Sequence, residues 1–428
     1  MSIILNKEEL VTNELRRDAL DILEKGLQAI DTEKVLNRKI FVENDTLNID
    51  GYLLDLKSYE KIFFVGIGKC ALDSAKVIGS ILGDYLTEGI VIDVKTSAEA
   101  ESLVSCGKIR YFVGTHPYPS EQNIEATKEV LKMIENLSRR DLVITLISGG
   151  GSSLFDLPTV DISTLVEITK SLTEKAADIF ELNAVRKHLS KVKGGGFAKI
   201  CFPAQVISLI FSDVPSNDMS TIASGPTVLD RTDVETAKKV LEKYSIKMDL
   251  EFVETPKDAM YFEKVRNIML VSNTDSLEIM GDRAEELGYN VTIETDRFSG
   301  DAKQSGEDLA KREPKPKTCI LFGGETTTVI SNNQGKGGRN QTMALAALPF
   351  IKPDSVLVCA SSDGWDNTEH AGALADSELF EKAKNLNLVP EEFLEKSDSY
   401  NFFKQAGGAI CTGRLGSNVS DLFIMLYK

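Results

Sequence analysis

The chain has little of the chemistry from which zinc and disulfide sites are built. Only three histidines occur, His116, His188 and His370, and they lie far apart. The six cysteines, Cys70, Cys106, Cys201, Cys319, Cys359 and Cys411, include no Cys-x-x-Cys pair. A zinc site is therefore not expected, although an oxygen-ligated magnesium needs no histidine. The scattered thiols read as reduced, mostly buried cysteines of a cytoplasmic protein. No basic region precedes an apolar core near the N-terminus, and no apolar run is long enough to span a bilayer, so neither a signal peptide nor a membrane segment is expected. No internal repeat is visible. Positive charge is also short. Lys and Arg number 49 against 65 Asp and Glu, a net charge of −16. The long-range field of such a surface repels nucleic acid and anionic membranes, so neither is expected as a partner.

What is present suits a soluble protein of roughly two domains. Apolar residues make up 42% and charged residues 27% of 428, enough for sizeable cores. Short apolar runs alternate with helix-spaced segments. Strands are expected at Ile62–Val65, Ile90–Val94, Arg110–Val113, Leu142–Ile147 and Gln205–Phe211. A second series is expected to start at Asn267–Val271 and to continue with Tyr289–Glu294, Thr318–Phe322, Asp354–Ala360 and Leu422–Leu426. An amphipathic helix pair or one long helix is expected over 8–38, and helices over 120–137, 162–180 and, in a charged stretch broken at Pro256, 231–265. This alternation predicts an α/β protein with a larger N-terminal doubly wound parallel sheet over 1–245 and a smaller C-terminal α/β domain over 246–428. Its polar cleft is expected between the two.

The chain reads as organised around Leu142–Pro158. Six largely apolar residues, Leu142–Ile147, read as a strand buried on both faces. They break into Ser148, Gly149, Gly150, Gly151, Ser152 and Ser153. The glycines free the backbone to turn and expose N–H groups, and the serines can cap a following helix, a good shape for holding an anion. No Gly-Lys-Ser/Thr closes the loop, so it is not a Walker A motif. Other strands end similarly, at Gly66-x-Gly68-Lys69, Gly114–Pro119, Ser212–Gly225, Gly323-Gly324-Glu325-Thr326, Gly335–Gln341 and Ser361–Asp366. Open α/β sheets collect ligands at that end of their strands. Phosphoryl transfer needs phosphate donors, a cation, a metal carboxylate and a group to align the acceptor. Lys69 and Arg339 are the candidate cations. Asp213, Asp218, Glu325 and Asp363 are candidate metal ligands, or acceptors of the hydroxyl proton. Arg186, Lys187, Lys191 and Lys193 either steer an anionic substrate or form a solvated helix face. His116 and His188 read as packing or support, and Trp365 either stacks on a base or packs.

Taken in order, Gly66-x-Gly68-Lys69, Gly114-Thr-His-Pro, Ser148-Gly-Gly-Gly-Ser-Ser, Asn183-x-Val-Arg-Lys-His-Leu-Ser-x-x-Lys-Gly-Gly, Ser212-Asp-Val, Ser224-Gly-Pro-Thr, Gly323-Gly-Glu-Thr-Thr, Gly337-Gly-Arg-Asn-Gln and Gly416-Ser-Asn-Val-Ser-Asp resemble the MOFRL-type glycerate 2-kinases over nearly the whole chain. The resemblance implies a Rossmann-like N-terminal domain, a MOFRL C-terminal domain, and transfer of phosphoryl from ATP, with Mg2+, to D-glycerate. It implies Lys69 and Arg339 as the essential pair, with Ser148–Ser153 and Gly323–Thr326 lining the same cleft, where they are expected to hold the nucleotide. From its strand-end position, Asp213 is expected to join the catalytic pair. Arg186 of the basic segment and Asn340 beside Arg339 are expected to join Lys69 and Arg339 on the substrate, and the strand-end carboxylates Asp213, Asp218 and Glu325 to hold the metal. A homodimer is among the assemblies allowed. The tail departs from the family in Thr412-Gly-Arg-Leu-Gly, where Arg414 stands at a position often held by proline. Two rival readings are an NAD(P)-dependent hydroxypyruvate reductase, with Asp93 as ribose acid, and a binding protein without chemistry.

Overall fold

The computed structural model describes residues 2–94, 107–214, 217–328 and 335–428. The expectations falling on Cys106, Pro215, Ser216, Val329 and Ile330 lie outside these. By its contacts the chain divides into two compact units. One is Thr32–Ser212 with Asn217–Leu270, and the other is Met1–Asp31 with Asp213–Ser216 and Val271–Lys428. The sequence reading drew one boundary after residue 245. The break in contacts falls at Leu270/Val271, and the N-terminal helix goes with the C-terminal sheet. The reason is its apolar stripe. Helix Glu14–Ala29, capped by the Asn13 side chain, buries Leu20, Leu23 and Leu27 in the same core as Leu277, Met280, Leu357 and Ile424.

The first unit opens with an antiparallel meander, β1 (Ile40–Glu43), β2 (Thr46–Ile49) and β3 (Tyr52–Asp55). Its turns, Asn44-Asp45 and Asp50-Gly51, have positive φ at both residues. That is the two-residue hairpin geometry matching the strand twist. The sequence reading assigned no element here. A six-stranded sheet follows in the order β6-β5-β4-β7-β8-β9, from β4 (Lys61–Ile67), β5 (Glu88–Asp93), β6 (Ile109–Val113), β7 (Asp141–Ile147), β8 (Gln205–Phe211) and β9 (Val265–Val271). The pairs β6/β5, β5/β4, β4/β7 and β7/β8 are parallel. Every residue of β7 is buried. Strand order reverses between β4 and β7, so the loops after these two strands sit at the switch point where such sheets bind ligands.

The second unit carries a mixed sheet, β10-β11-β15-β12-β13-β14, from β10 (Asn290–Phe298), β11 (Thr318–Gly324), β12 (Ser355–Ser361), β13 (Gly372–Asp376), β14 (Ala409–Ile410) and β15 (Asp421–Tyr427). Only β10/β11 is parallel; the other pairs are antiparallel. The α/β class read from the sequence holds.

Some local expectations do not. Strand β9, read as the start of the second series, is the sixth strand of the first sheet. The helix expected over 162–180 ends at Glu174, and a new one, Ile179–His188, starts from an Asp178–Glu181 capping box. Of 231–265 only Val234–Lys243 is a longer helix. Ser152 and Ser153 cap nothing. Gly150 precedes a four-residue turn of helix, Gly151–Leu154, and the serines lie within it.

Candidate active site

In the first unit a cluster of cations gathers at the switch point. Gly68 and Lys69 follow β4, and the Lys69 N–H donates to Gly149 O at 3.0 Å. Ser148 is buried; its Oγ donates to Ile67 O (3.3 Å) and accepts from Cys70 N (3.4 Å). The two loops are thus stitched together. Gly150 has φ +85°, and a Cβ built there would lie 3.2 Å from the His116 ring and 3.3 Å from Lys69 Cγ. Both side chains therefore converge on this glycine. The N–H groups of Gly149, Gly150 and Ser152 donate to no carbonyl among the described residues. Ser153 Oγ donates to Pro117 O (2.6 Å), and Ser152 Oγ lies 2.9 Å from Ser224 Oγ. Ala223 and Ser224 both hold positive φ, a conformation that costs free energy and recurs at functional sites.

Arg186 is half-buried, and no hydrogen bond or ion pair joins it to the described residues. Burial lowers its pKa, against the opposing charges of Asp156 and Tyr118. Burial, then the charges of Lys69 and Arg186, push His116 down to about 4, so its imidazole is neutral at pH 7. Behind Arg186, Lys193 is buried in an ion pair with Asp156, which also accepts from Ser190 Oγ at 2.6 Å. Lys187 is buried against Asp230 at 3.1 Å. The basic segment therefore does not act as one face. Lys187 and Lys193 are internal ion pairs, Lys191 is exposed, and Arg186 alone keeps its fork. His188 is fully buried, with Nδ1 2.8 Å from Ala184 O.

The second unit holds a contrasting cluster. Helix Arg339–Ala347 starts after Gly338, where an added Cβ would lie 2.1 Å from Asp366 Oδ1. The closeness lets Asp366 accept from the N–H groups of Asn340 (3.1 Å) and Gln341 (2.8 Å) and fix this N-terminus. Arg339 then reaches Asp421, at the start of β15, through Nε (2.5 Å) and Nη2 (3.1 Å), and pairs with Glu325 through Nη1. Asp421 is fully buried, and burial raises its pKa despite Arg339. Although 41% of the Glu325 side chain is accessible, its carboxylate is crowded by protein. Burial pushes it up to about 7; Arg339 opposes this, and the charges of Asp421 and Asp213 add to it. Asp366 is pushed up to about 6, mainly by burial. Burial alone would lower Arg339, but Asp421 and Glu325 hold it above its ordinary value.

Other expected site residues have definite places. Gly323 and Gly324 end β11 and are buried. Thr326 is 1% exposed, and its Oγ1 has no hydrogen-bond partner among the described residues. Asn340 is 0% exposed, with its amide NH2 on Asp366 Oδ1 at 3.3 Å. Asp213 belongs with this unit, where its carbonyl accepts from Ser420 Oγ at 2.7 Å. Asp218 belongs to the other unit, where it accepts from Ser220 N at 2.9 Å. Asp363 accepts from Ser361 Oγ and the Trp365 N–H. No group of three or more His, Cys, Asp or Glu side chains poised to hold a metal occurs among the described residues. Sequence reasoning missed His116, Asp156, Asp366 and Asp421 as site residues. The available signal for Asp421 was an acid at the mouth of a wholly apolar strand. Asp93, the acid a dinucleotide site would need, is buried and accepts from Leu72 N (3.1 Å) and Val94 N (2.6 Å).

One unit thus presents a glycine loop ringed by cations, the other an arginine set among carboxylates. That pairing of elements defines an α/β protein equipped for anionic small molecules. Residues 18–254 match a domain of unknown function (DUF4147), and residues 318–421 match the MOFRL family. The chain is 35% identical to the glycerate 2-kinase of Picrophilus torridus, over 99% of each chain. It is 34% identical to the D-glycerate 2-kinase of Thermotoga maritima, over 96% of this chain and 98% of that one. A crystal structure of glycerate kinase from Thermotoga maritima superposes with a TM-score of 0.82 at 32% identity, over 96% of this chain and 99% of the other. The chain belongs to the MOFRL-type glycerate 2-kinase family. No helix among the described residues is long and apolar enough to cross a membrane.

Proposed function

We propose that this protein transfers a phosphoryl group from ATP to the 2-hydroxyl of D-glycerate, giving 2-phospho-D-glycerate and ADP. The observation that carries the reading is similarity to glycerate 2-kinases along essentially the whole chain. The two clusters supply matching chemistry. Arg186 offers a planar fork to the glycerate carboxylate, and Lys69 adds a point charge beside it. Neutral His116 adds no charge of its own and accepts or donates one hydrogen bond at the bound acid. The N–H groups of Gly149, Gly150 and Ser152 cradle the oxygens of the phosphoryl group on its acceptor.

The nucleotide belongs to Gly323–Thr326 and Arg339. Arg339 cannot by itself neutralise phosphate, because Asp421 and Glu325 already engage it. A divalent cation fits the surplus of carboxylate oxygen and the orphaned Thr326 hydroxyl. Magnesium is commonly held by one or two carboxylates plus substrate phosphates, so no three-ligand cage is required. Glu325 and Asp213 would hold it, and when bound it neutralises charge developing on the phosphates. Asp366 and Asn340 set the direction of Arg339 rather than touch substrate. Asp213 is also the candidate acceptor of the hydroxyl proton. The test is ADP release coupled to a chromogenic reaction. Release must depend on both D-glycerate and ATP. NADH oxidation by hydroxypyruvate without ATP would replace this reading with the reductase.

A further inference from the structure

One feature of the second unit is not used by this chemistry. A cavity of about 680 Å³ opens beside the Arg339 helix. Its wall includes Gly338, which precedes Arg339, and Thr328, which follows Glu325 by three residues. The cavity thus borders, in sequence, both groups assigned to the nucleotide phosphates. Glycerate, with three carbons and four oxygens, is far too small to fill it.

The lining is aromatic and apolar at Trp365, Phe393 and Leu394. Trp365 is the only tryptophan of the chain and is 36% exposed. The Arg414 guanidinium stacks on its ring, 4.0 Å from the centroid, an attraction that fixes the orientation of the indole. Ser399 also lines the cavity. It is 2% exposed, and its Oγ has no hydrogen-bond partner among the described residues. Charge excludes the polyphosphate end of a nucleotide. Asp301, Glu369, Glu395 and Asp398 outnumber Lys303 and Lys336. Carboxylates repel phosphate but accept hydrogen bonds from ribose hydroxyls and exocyclic amines.

We propose that this cavity is the nucleoside subsite, with the base on Trp365 and the ribose among the carboxylates and Ser399. The inference rests on the kinase reading and locates its nucleotide. Arg414, a departure from the usual family tail, then acts as the brace of the stacking platform.

The sole tryptophan makes the test direct. Adenosine, which carries no phosphate, is expected to quench Trp365 fluorescence in the wild-type protein, and inorganic tripolyphosphate is not. Trp365→Ala is expected to raise KM for ATP about tenfold, the scale of one base–aromatic stack, with KM for D-glycerate unchanged and Trp365→Phe largely restoring it. A thermal melt of each variant checks folding. If the wild type turns over glycerate and ATP but adenosine leaves the fluorescence unchanged, or Trp365→Ala keeps its KM for ATP, the subsite is elsewhere. If the wild type shows no turnover, the kinase reading fails, whereas quenching by adenosine would still locate a nucleoside site.

Discussion

Arg186 and Arg339 are both partly buried arginines, each at a strand-end cluster of its own unit, and their surroundings are opposite. Arg186 has no carboxylate on its fork among the described residues and stands near Lys69 and a neutral His116. Arg339 is gripped by Asp421 and Glu325. Burying a guanidinium without a partner is costly. That cost is sustained if the missing partner is an anion that arrives as substrate. Arg339 bears no such cost, but its charge is already offset. Its surroundings want a further cation. On the proposed reading, the first cluster takes an acid and the second a metal-bound polyphosphate.

The largest effect that should break this comparison is Arg339→Ala. It leaves Asp421 buried and unpaired, so it should cost ~3 kcal/mol of stability as well as nearly all turnover. Chemical denaturation beside the coupled assay would read both. Lys69→Ala and Arg186→Ala should spare stability. Each should lower kcat/KM for D-glycerate by roughly 10- to 100-fold, the worth of about 1.5–3 kcal/mol for a hydrogen bond to charge. Arg186→Lys should recover only part, because an ammonium lacks the planar fork.

Glu325 gives a smaller, pH-dependent effect. Its carboxylate, raised to about 7, must lose a proton to hold a cation, so kcat/KM should rise with pH through about 7. Stability should move the other way. The folded state holds this proton more tightly than the unfolded chain, so its contribution is full below the ordinary glutamate pKa and is lost as pH rises through about 7. Glu325→Gln should flatten both profiles, read by rate and by melting temperature. The smallest effect belongs to Lys191→Ala. Exposed and outside both clusters, it should change kcat/KM by less than about twofold, a result that separates steering by general basic charge from binding by Arg186.

The parts legible in sequence were those where one local stretch carries both strand and loop. Leu142–Ser153 reads as a buried strand ending in small polar residues because burial on both faces demands a continuous apolar run. Asp421 and Asp366 were not legible as site residues. Each acts through a partner far along the chain, and nothing local separates a carboxylate that grips an arginine from one that ends a turn. The fate of Lys187 and Lys193 was hidden for the same reason, since their partners Asp230 and Asp156 are set by tertiary packing. The N-terminal helix read correctly as amphipathic, but a stripe of leucines does not say which sheet it covers. The β1–β3 hairpins could have been read from Asn-Asp and Asp-Gly turns between short apolar segments.

The division of labour between the clusters is tested most directly by calorimetric titration of D-glycerate into the wild type and Arg186→Ala, without nucleotide or divalent cation. The account predicts that the wild type binds D-glycerate under these conditions and that Arg186→Ala does not. Binding that requires Mg2+, or that survives unchanged in Arg186→Ala, would contradict it.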